Sequence, residues 1–161
     1  MASTKLSAAR RALKRTVARS QPDPATCIYR NVSRLARVVT VAFDGAFATQ
    51  DLTAAQFNIL MSLARLGPIS VGSLASKLSM DASTVPRSLA PLVRADLVMV
   101  RPGGDRRVRI IELTDTGCER LRLALPIWQQ QQRQMLRVLG VPGWNTLRKT
   151  LAVVRRAAAQ P

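Results

Sequence analysis

The chain has 161 residues, enough for one domain with a real core, and 47% of them are hydrophobic, which argues against general disorder. Its 25 Lys and Arg against 9 Asp and Glu give a net charge of +16, which favours polyanionic partners, either nucleic acid or an acidic membrane surface. There is no histidine, so His-based triads, general bases and metal ligands are all removed, and aromatic residues at 4% are too few to stack single-stranded bases, which leaves duplex DNA as the better partner.

The remaining chemistry is sparse. The carboxylates are scattered, no phosphate-binding glycine loop is present, and nothing proposes catalysis or a cofactor. Cys27 and Cys118 stand in no metal-ligand spacing, which suggests a reducing, cytoplasmic setting rather than a disulfide scaffold.

Residues 1–21 carry Lys5, Arg10, Arg11, Lys14, Arg15 and Arg19 without an acid. They lack the apolar core of a secretory signal, although an acid-free, Arg-containing stretch also has the character of a transit peptide. We read them as a basic, disordered arm, either frayed and solvated or adding phosphate contacts. Pro22-Asp23-Pro24 then punctuates the chain. A long amphipathic helix is expected over 25–48, with Ile28, Val32, Leu35, Val39, Phe43 and Phe47 as its apolar stripe. Thr53 and Gln56 match a capping box, and Leu52 with Phe57 matches a hydrophobic staple. The helix they start carries Phe57, Ile59, Leu60, Leu63, Ala64 and Leu66 inward and stops at Gly67-Pro68.

Residues 70–114 organise the rest. Ser70 is an expected N-cap, and Val71, Leu74, Ala75 and Leu78 give one buried helical face. After a turn at Ser79-Met80-Asp81, a second helix places Val85, Leu89, Leu92 and Val93 inward and Thr84, Arg87, Ser88 and Arg94 outward. Pro86 is tolerable if Ser83 is the N-cap, since it then falls in the first turn, whereas Pro91 predicts a bend or a division into two short turns. A strand at 97–101, a turn at 102–105 and a returning strand at 106–113 follow. A helix-turn-helix with a basic hairpin can set its second helix in a major groove and its hairpin tip on the neighbouring backbone or minor groove.

Thr114 or Asp115 then caps a long helix to about residue 139, with a kink expected at Pro126 and a break at Gly140-Val141-Pro142-Gly143. Trp144, Leu147, Leu151 and Val154 mark a last amphipathic helix. The terminal helices must bury their apolar stripes, either in a dimer interface, which we favour because such DNA readers pair to match two half-sites, or on their own subunit.

This order of elements resembles the MarR family of winged-helix transcriptional regulators over about residues 27–154. The support-helix entry Leu52-Thr53-Ala54-Ala55-Gln56-Phe57, the pair Leu74-Ala75, and above all the hairpin are similar: Asp105-Arg106-Arg107 at the tip, then Leu113-Thr114 and Asp115-Thr116-Gly117. Pro86 and the long basic arm depart from the pattern. The resemblance implies a homodimer on an inverted-repeat operator, and repression relieved by a small anionic or phenolic effector or by thiol oxidation. It implies that Arg107 enters the minor groove, oriented by Asp105; the plainer reading is that Asp105 caps the turn and Arg107 is a solvated charge. Arg87 is the best candidate for a guanine, with a phosphate contact as the alternative. Several oxidation-sensing members carry a cysteine near the start of the first long helix, where Cys27 stands; an inert packed thiol is the other reading.

The expectation is therefore a mainly α fold with a small β-hairpin wing, a winged helix-turn-helix. It would comprise a basic arm at 1–21 and a single domain at 22–161, with the DNA-binding part at 52–114 and dimerisation helices at 25–48 and 115–158. The DNA-contacting set is Ser83, Thr84, Arg87, Ser88, Arg101, Asp105, Arg106, Arg107 and Arg109, with Cys27 as redox-sensing candidate. Such a protein would be a regulator that binds double-stranded DNA as a homodimer; the alternative is a basic architectural or membrane-surface protein without sequence preference.

Overall fold

A computed structural model describes residues 2–20, 27–81, 83–105 and 107–158. The Pro22-Asp23-Pro24 break and Arg106 lie outside the described residues. By internal packing the chain falls into two compact units, residues 1–41 and 42–161.

The first unit opens with α1, Ala2–Ser20. Its helical conformation corrects the expected disorder. The segment is rich in Ala, Leu, Lys and Arg and holds neither Gly nor Pro, so its intrinsic preference is helical despite its polarity. Helix α2, Ile28–Phe47, begins just after Cys27, whose carbonyl accepts from the Asn31 backbone N–H at 3.1 Å and from Asn31 Nδ2 at 2.9 Å. On the predicted stripe, Ile28, Val32 and Leu35 are exposed and Val39 is half-buried.

The second unit takes up the end of α2, where Phe43 is half-buried and Phe47 fully buried. A 3-10 turn at Ala48–Gln50 and a left-handed Asp51 (φ 50°) reverse the chain. Helix α3, Ala54–Leu66, starts at the predicted capping box: the Gln56 N–H donates to Thr53 Oγ1 at 3.2 Å, and the Thr53 N–H donates to Gln56 Oε1 at 2.8 Å. The Ala54 N–H also donates to Asp44 Oδ1 at 2.7 Å, which ties α3 to the end of α2. Phe57, Ile59, Leu60 and Leu63 are buried, whereas Ala64 and Leu66 are exposed. The apolar pattern of this helix is wider than the face it buries. Gly67, at φ 72°, ends the helix, a conformation glycine adopts without steric cost.

Next comes β1, Ile69–Ser70, which the sequence reading did not anticipate. It pairs antiparallel with β3, Arg109–Leu113, which also pairs with β2, Val98–Pro102, giving a three-stranded sheet in the order β1-β3-β2. Between β1 and β2 lie α4, Val71–Leu78, and α5, Val85–Arg94. Ser70 caps α4 as expected, its Oγ accepting from the Ser73 N–H at 3.1 Å. Leu74 and Ala75 of α4, Val85, Leu89 and Leu92 of α5, and Val98 and Ile111 of the sheet form one core with α3.

Helix α6, Asp115–Ala158, runs on from Thr114, whose Oγ1 accepts from the Gly117 N–H at 2.9 Å. The helix continues through Pro126, and its backbone breaks at Gly140 (φ 66°, ψ 165°), as the glycines and proline at 140–143 predict. A row of aromatic rings joins α2, α3 and α6: Phe43 lies tilted against Phe47 at 6.2 Å, and Phe47 stacks on Phe57 at 4.5 Å and Phe57 on Trp128 at 6.3 Å between centroids. Arg120 Nη1 donates to the Gln50 carbonyl at 2.6 Å, fixing α6 to the turn before α3.

Candidate nucleic-acid interface

The turn between α4 and α5 is built from backbone. Ser79 is left-handed (φ 52°), the Met80 N–H donates to the Ala75 carbonyl at 2.9 Å, and the Thr84 N–H donates to the Asp81 carbonyl at 2.8 Å. Helix α5 begins one residue later than expected: Thr84, not Ser83, is its N-cap, without a side-chain capping bond. Pro86 still falls in the first turn, where its missing donor costs nothing. Pro91 sits inside a single helix, so the division into two short turns does not occur.

Val85, Leu89 and Leu92 hold α5 against the core and leave Ser83, Thr84 and Arg87 exposed. Ser88 is half-buried, and its Oγ donates to the Thr84 carbonyl at 3.2 Å, so this hydroxyl is engaged with its own helix. Val93, expected inside, is 44% exposed. It lines a cleft of about 540 Å³ between α5 and the sheet, with Pro86, Ala90 and Arg94 from α5 and Val100 and Arg109 from the hairpin.

The hairpin register separates its arginines. Pro102 pairs with Arg109, so β2 runs one residue further than expected, β3 begins at Arg109 rather than at 106, and the connection spans 103–108 in place of 102–105. Proline is tolerated there because β2 is an edge strand. Side chains alternate across a sheet, so Val100 and Arg109 share the face towards α5 while Met99, Arg101, Ile110 and Glu112 share the other. On that second face Arg101 Nε meets Glu112 Oε1 at 3.1 Å. Arg101 and Arg109 therefore lie on opposite faces of the hairpin, and Arg101 is already paired.

At the tip, Asp105 Oδ1 accepts from the backbone N–H of Arg107 at 2.9 Å, its carbonyl accepts from the Val108 N–H at 2.9 Å, and the Gly103 N–H donates to the Val108 carbonyl at 2.8 Å. Asp105 thus organises the turn through Arg107's main chain, as an Asx-turn does, and leaves the Arg107 guanidinium exposed. The base of the hairpin is fixed to α6 by contacts no local pattern reveals. Thr114 Oγ1 donates to the Asp96 carbonyl at 2.5 Å, Thr116 Oγ1 donates to Asp96 Oδ2 at 3.2 Å, and Gly117 passes directly over the Leu97 carbonyl.

No helix among the described residues is long and apolar enough to cross a membrane. A support helix, a helix-turn-helix and a sheet ending in a basic hairpin define a winged-helix protein, a class whose second helix and wing are shaped to meet duplex DNA. Residues 52–108 match the MarR family profile. The chain is similar to the Mycobacterium tuberculosis transcriptional regulator MosR in complex with DNA, at 30% identity and a TM-score of 0.76, over 82% of this chain and 96% of that one. It is similar in fold to an Escherichia coli MarR mutant complexed with operator DNA, at 24% identity and a TM-score of 0.73, over 79% of this chain and 92% of that one. Over 92 residues it is 33% identical to the HTH-type transcriptional repressor NicR of Pseudomonas putida, covering 56% of this chain and 58% of NicR's length. The chain belongs to the MarR family of transcriptional regulators.

Proposed function

We propose that this chain is a DNA-binding repressor that reads a pseudo-palindromic operator as a homodimer in the cytoplasm. The observation that carries the reading is the shared cleft: α5 and the hairpin stand side by side, with Arg94 and Arg109 between them and the exposed Thr84 and Arg87 at the start of α5. Helix α5 would enter the major groove through Ser83, Thr84 and Arg87, and the exposed Arg107 at the hairpin tip would reach the adjacent minor groove. Dimerisation would cover the exposed Ile28, Val32 and Leu35 of α2 and Val138, Val141 and Val153 of α6. Support comes from the resemblance to DNA-bound MosR and to the repressor NicR.

A small anionic or phenolic effector suits the cleft, which offers arginine cations beside an apolar floor, and a ligand there would compete with DNA. Thiol oxidation is the other release signal: Cys27 is a free, half-buried thiol at the start of α2, and Cys118 is free and exposed. Selection of bound duplexes from a random pool, with light scattering of the complex, tests the reading. An inverted repeat with half-site centres roughly 34–36 Å apart and a dimeric mass are expected. A monomer on DNA, or the absence of any preferred sequence, would overturn it.

A further inference from the structure

Helix α1 sorts its charges. At 100° per residue, Arg10, Arg11, Lys14, Arg15 and Arg19 fall on one half of its circumference, while Ala9, Ala12, Leu13, Thr16 and Val17 fall on the other. Every described side chain from Ala8 to Arg19 is exposed, and the helix contains no acid. Residues 10 to 19 span about 13 Å of helix axis, so Arg10, Lys14, Arg15 and Arg19 alone present about one cation per 3 Å. Along the duplex axis, one strand of DNA presents one phosphate per about 3.4 Å. The charge density of α1 is therefore comparable to that of one strand measured along the duplex axis, enough to neutralise the phosphates it faces.

We propose that α1 is a second, sequence-independent DNA-binding surface that lays its basic half along a phosphate backbone and adds to the affinity of the winged helix without altering which bases are read. The proposal rests on the DNA-binding reading above and extends it to a segment outside the winged helix. An acidic membrane is the weaker occupant. Helices that lie on membranes carry Trp, Phe and Leu on the apolar side, and here the described apolar half offers only Leu13 and Val17 among Ala and Thr.

The test compares full-length protein with the quadruple variant R10Q/K14Q/R15Q/R19Q and with R10K/R15K/R19K. Each is titrated at several salt concentrations against a selected operator duplex, a random-sequence duplex, and anionic phospholipid vesicles. Glutamine is a good helix former, and circular dichroism should show α1 retained. The glutamine variant should lose about one to four units of the log–log salt slope per protomer, at about 0.9 per phosphate released, on both duplexes alike. Its operator-to-random affinity ratio should stay unchanged, and the lysine variant should keep the wild-type slope. An unchanged slope in the glutamine variant, with wild type still binding its operator, would overturn the α1 proposal alone. Vesicle binding lost in that variant while DNA slopes hold would assign α1 to membranes instead. Wild type that binds neither duplex would overturn the underlying DNA-binding reading as well.

Discussion

Gly117→Ala should destabilise the protein far more than its position in a helix suggests. A Cβ built on Gly117 would lie 1.9 Å from the Leu97 carbonyl oxygen and 2.9 Å from its carbon. Normal contact requires a separation more than an ångström larger, and the obstacle is main chain. The Leu97 carbonyl accepts from the Thr114 N–H at 3.3 Å, the Leu97 N–H donates to the Leu92 carbonyl at 2.9 Å, and the Leu97 side chain is buried. Overpacking costs about 1–3 kcal/mol, and a main-chain obstacle this close puts the cost at the upper end, about 3 kcal/mol; alanine's better helix propensity returns about 1 kcal/mol, leaving a loss of about 2 kcal/mol. For a chain of this size that is a fall of about 4–8 °C in Tm, measured at fixed protein concentration so that self-association contributes equally to both proteins. Gly45→Ala is the internal control. Gly45 lies in α2 with nothing within 4 Å of its built Cβ, so the same substitution should stabilise by about 0.5–1 kcal/mol. A Gly117→Ala protein with wild-type or higher Tm would refute the claim that α6 is docked against the Leu97 carbonyl.

Three further outcomes follow from the same geometry. Arg87→Ala should cost about 1–3 kcal/mol of operator affinity and relax preference at one base if it makes a base contact, whereas a phosphate contact would weaken all duplexes alike and lower the salt slope by about one unit; Arg107→Ala separates in the same way, and gel-shift titrations read both. Thr53→Ala removes the side-chain half of the α3 capping box and should lower stability by about 0.5–2 kcal/mol in urea melts. The Glu119 carboxyl, hydrogen-bonded by the Arg122 guanidinium 2.6 Å away, should titrate below the usual glutamate range by NMR and move back up in Arg122→Ala. The sign follows from the depressed value: whatever this exposed pair contributes is present above the ordinary glutamate pKa and fades as pH falls through the lowered one.

Local chemistry made much of the fold legible. The Thr53–Gln56 box, the Ser70 cap, Gly67 and the break at Gly140 each satisfy or interrupt backbone hydrogen bonds within a few residues, so their signals sit in adjacent letters. The β1 strand did not show, because two residues become a strand only by pairing with Ile110 and Ile111, some forty positions away. Pro102 reads as a turn residue, yet it closes β2 because that strand has a free edge. At the candidate interface, which residues lie on α5 and the wing was readable, but not what each side chain does. Glu112 occupies Arg101 through a register that no spacing rule supplies, Ser88 turns back onto Thr84, and Asp105 holds Arg107 by its main chain. In α1, the polarity that suggested disorder outweighed a residue content that favours a helix.

The row of rings from Phe43 to Trp128 gives the protein an optical reporter of its own. Trp128 and Trp144 are its only tryptophans, and the half-buried Trp128 indole stacks on Phe57 across the α3–α6 contact. Any rearrangement that slides α6 along α3 changes the polarity and quenching around that indole and shifts its emission. With Trp144 replaced by phenylalanine, the remaining fluorescence belongs to one site. Effector or DNA titrations can then be followed without a label, and a spectral change would locate the response at the joint between the support helix and the long C-terminal helix.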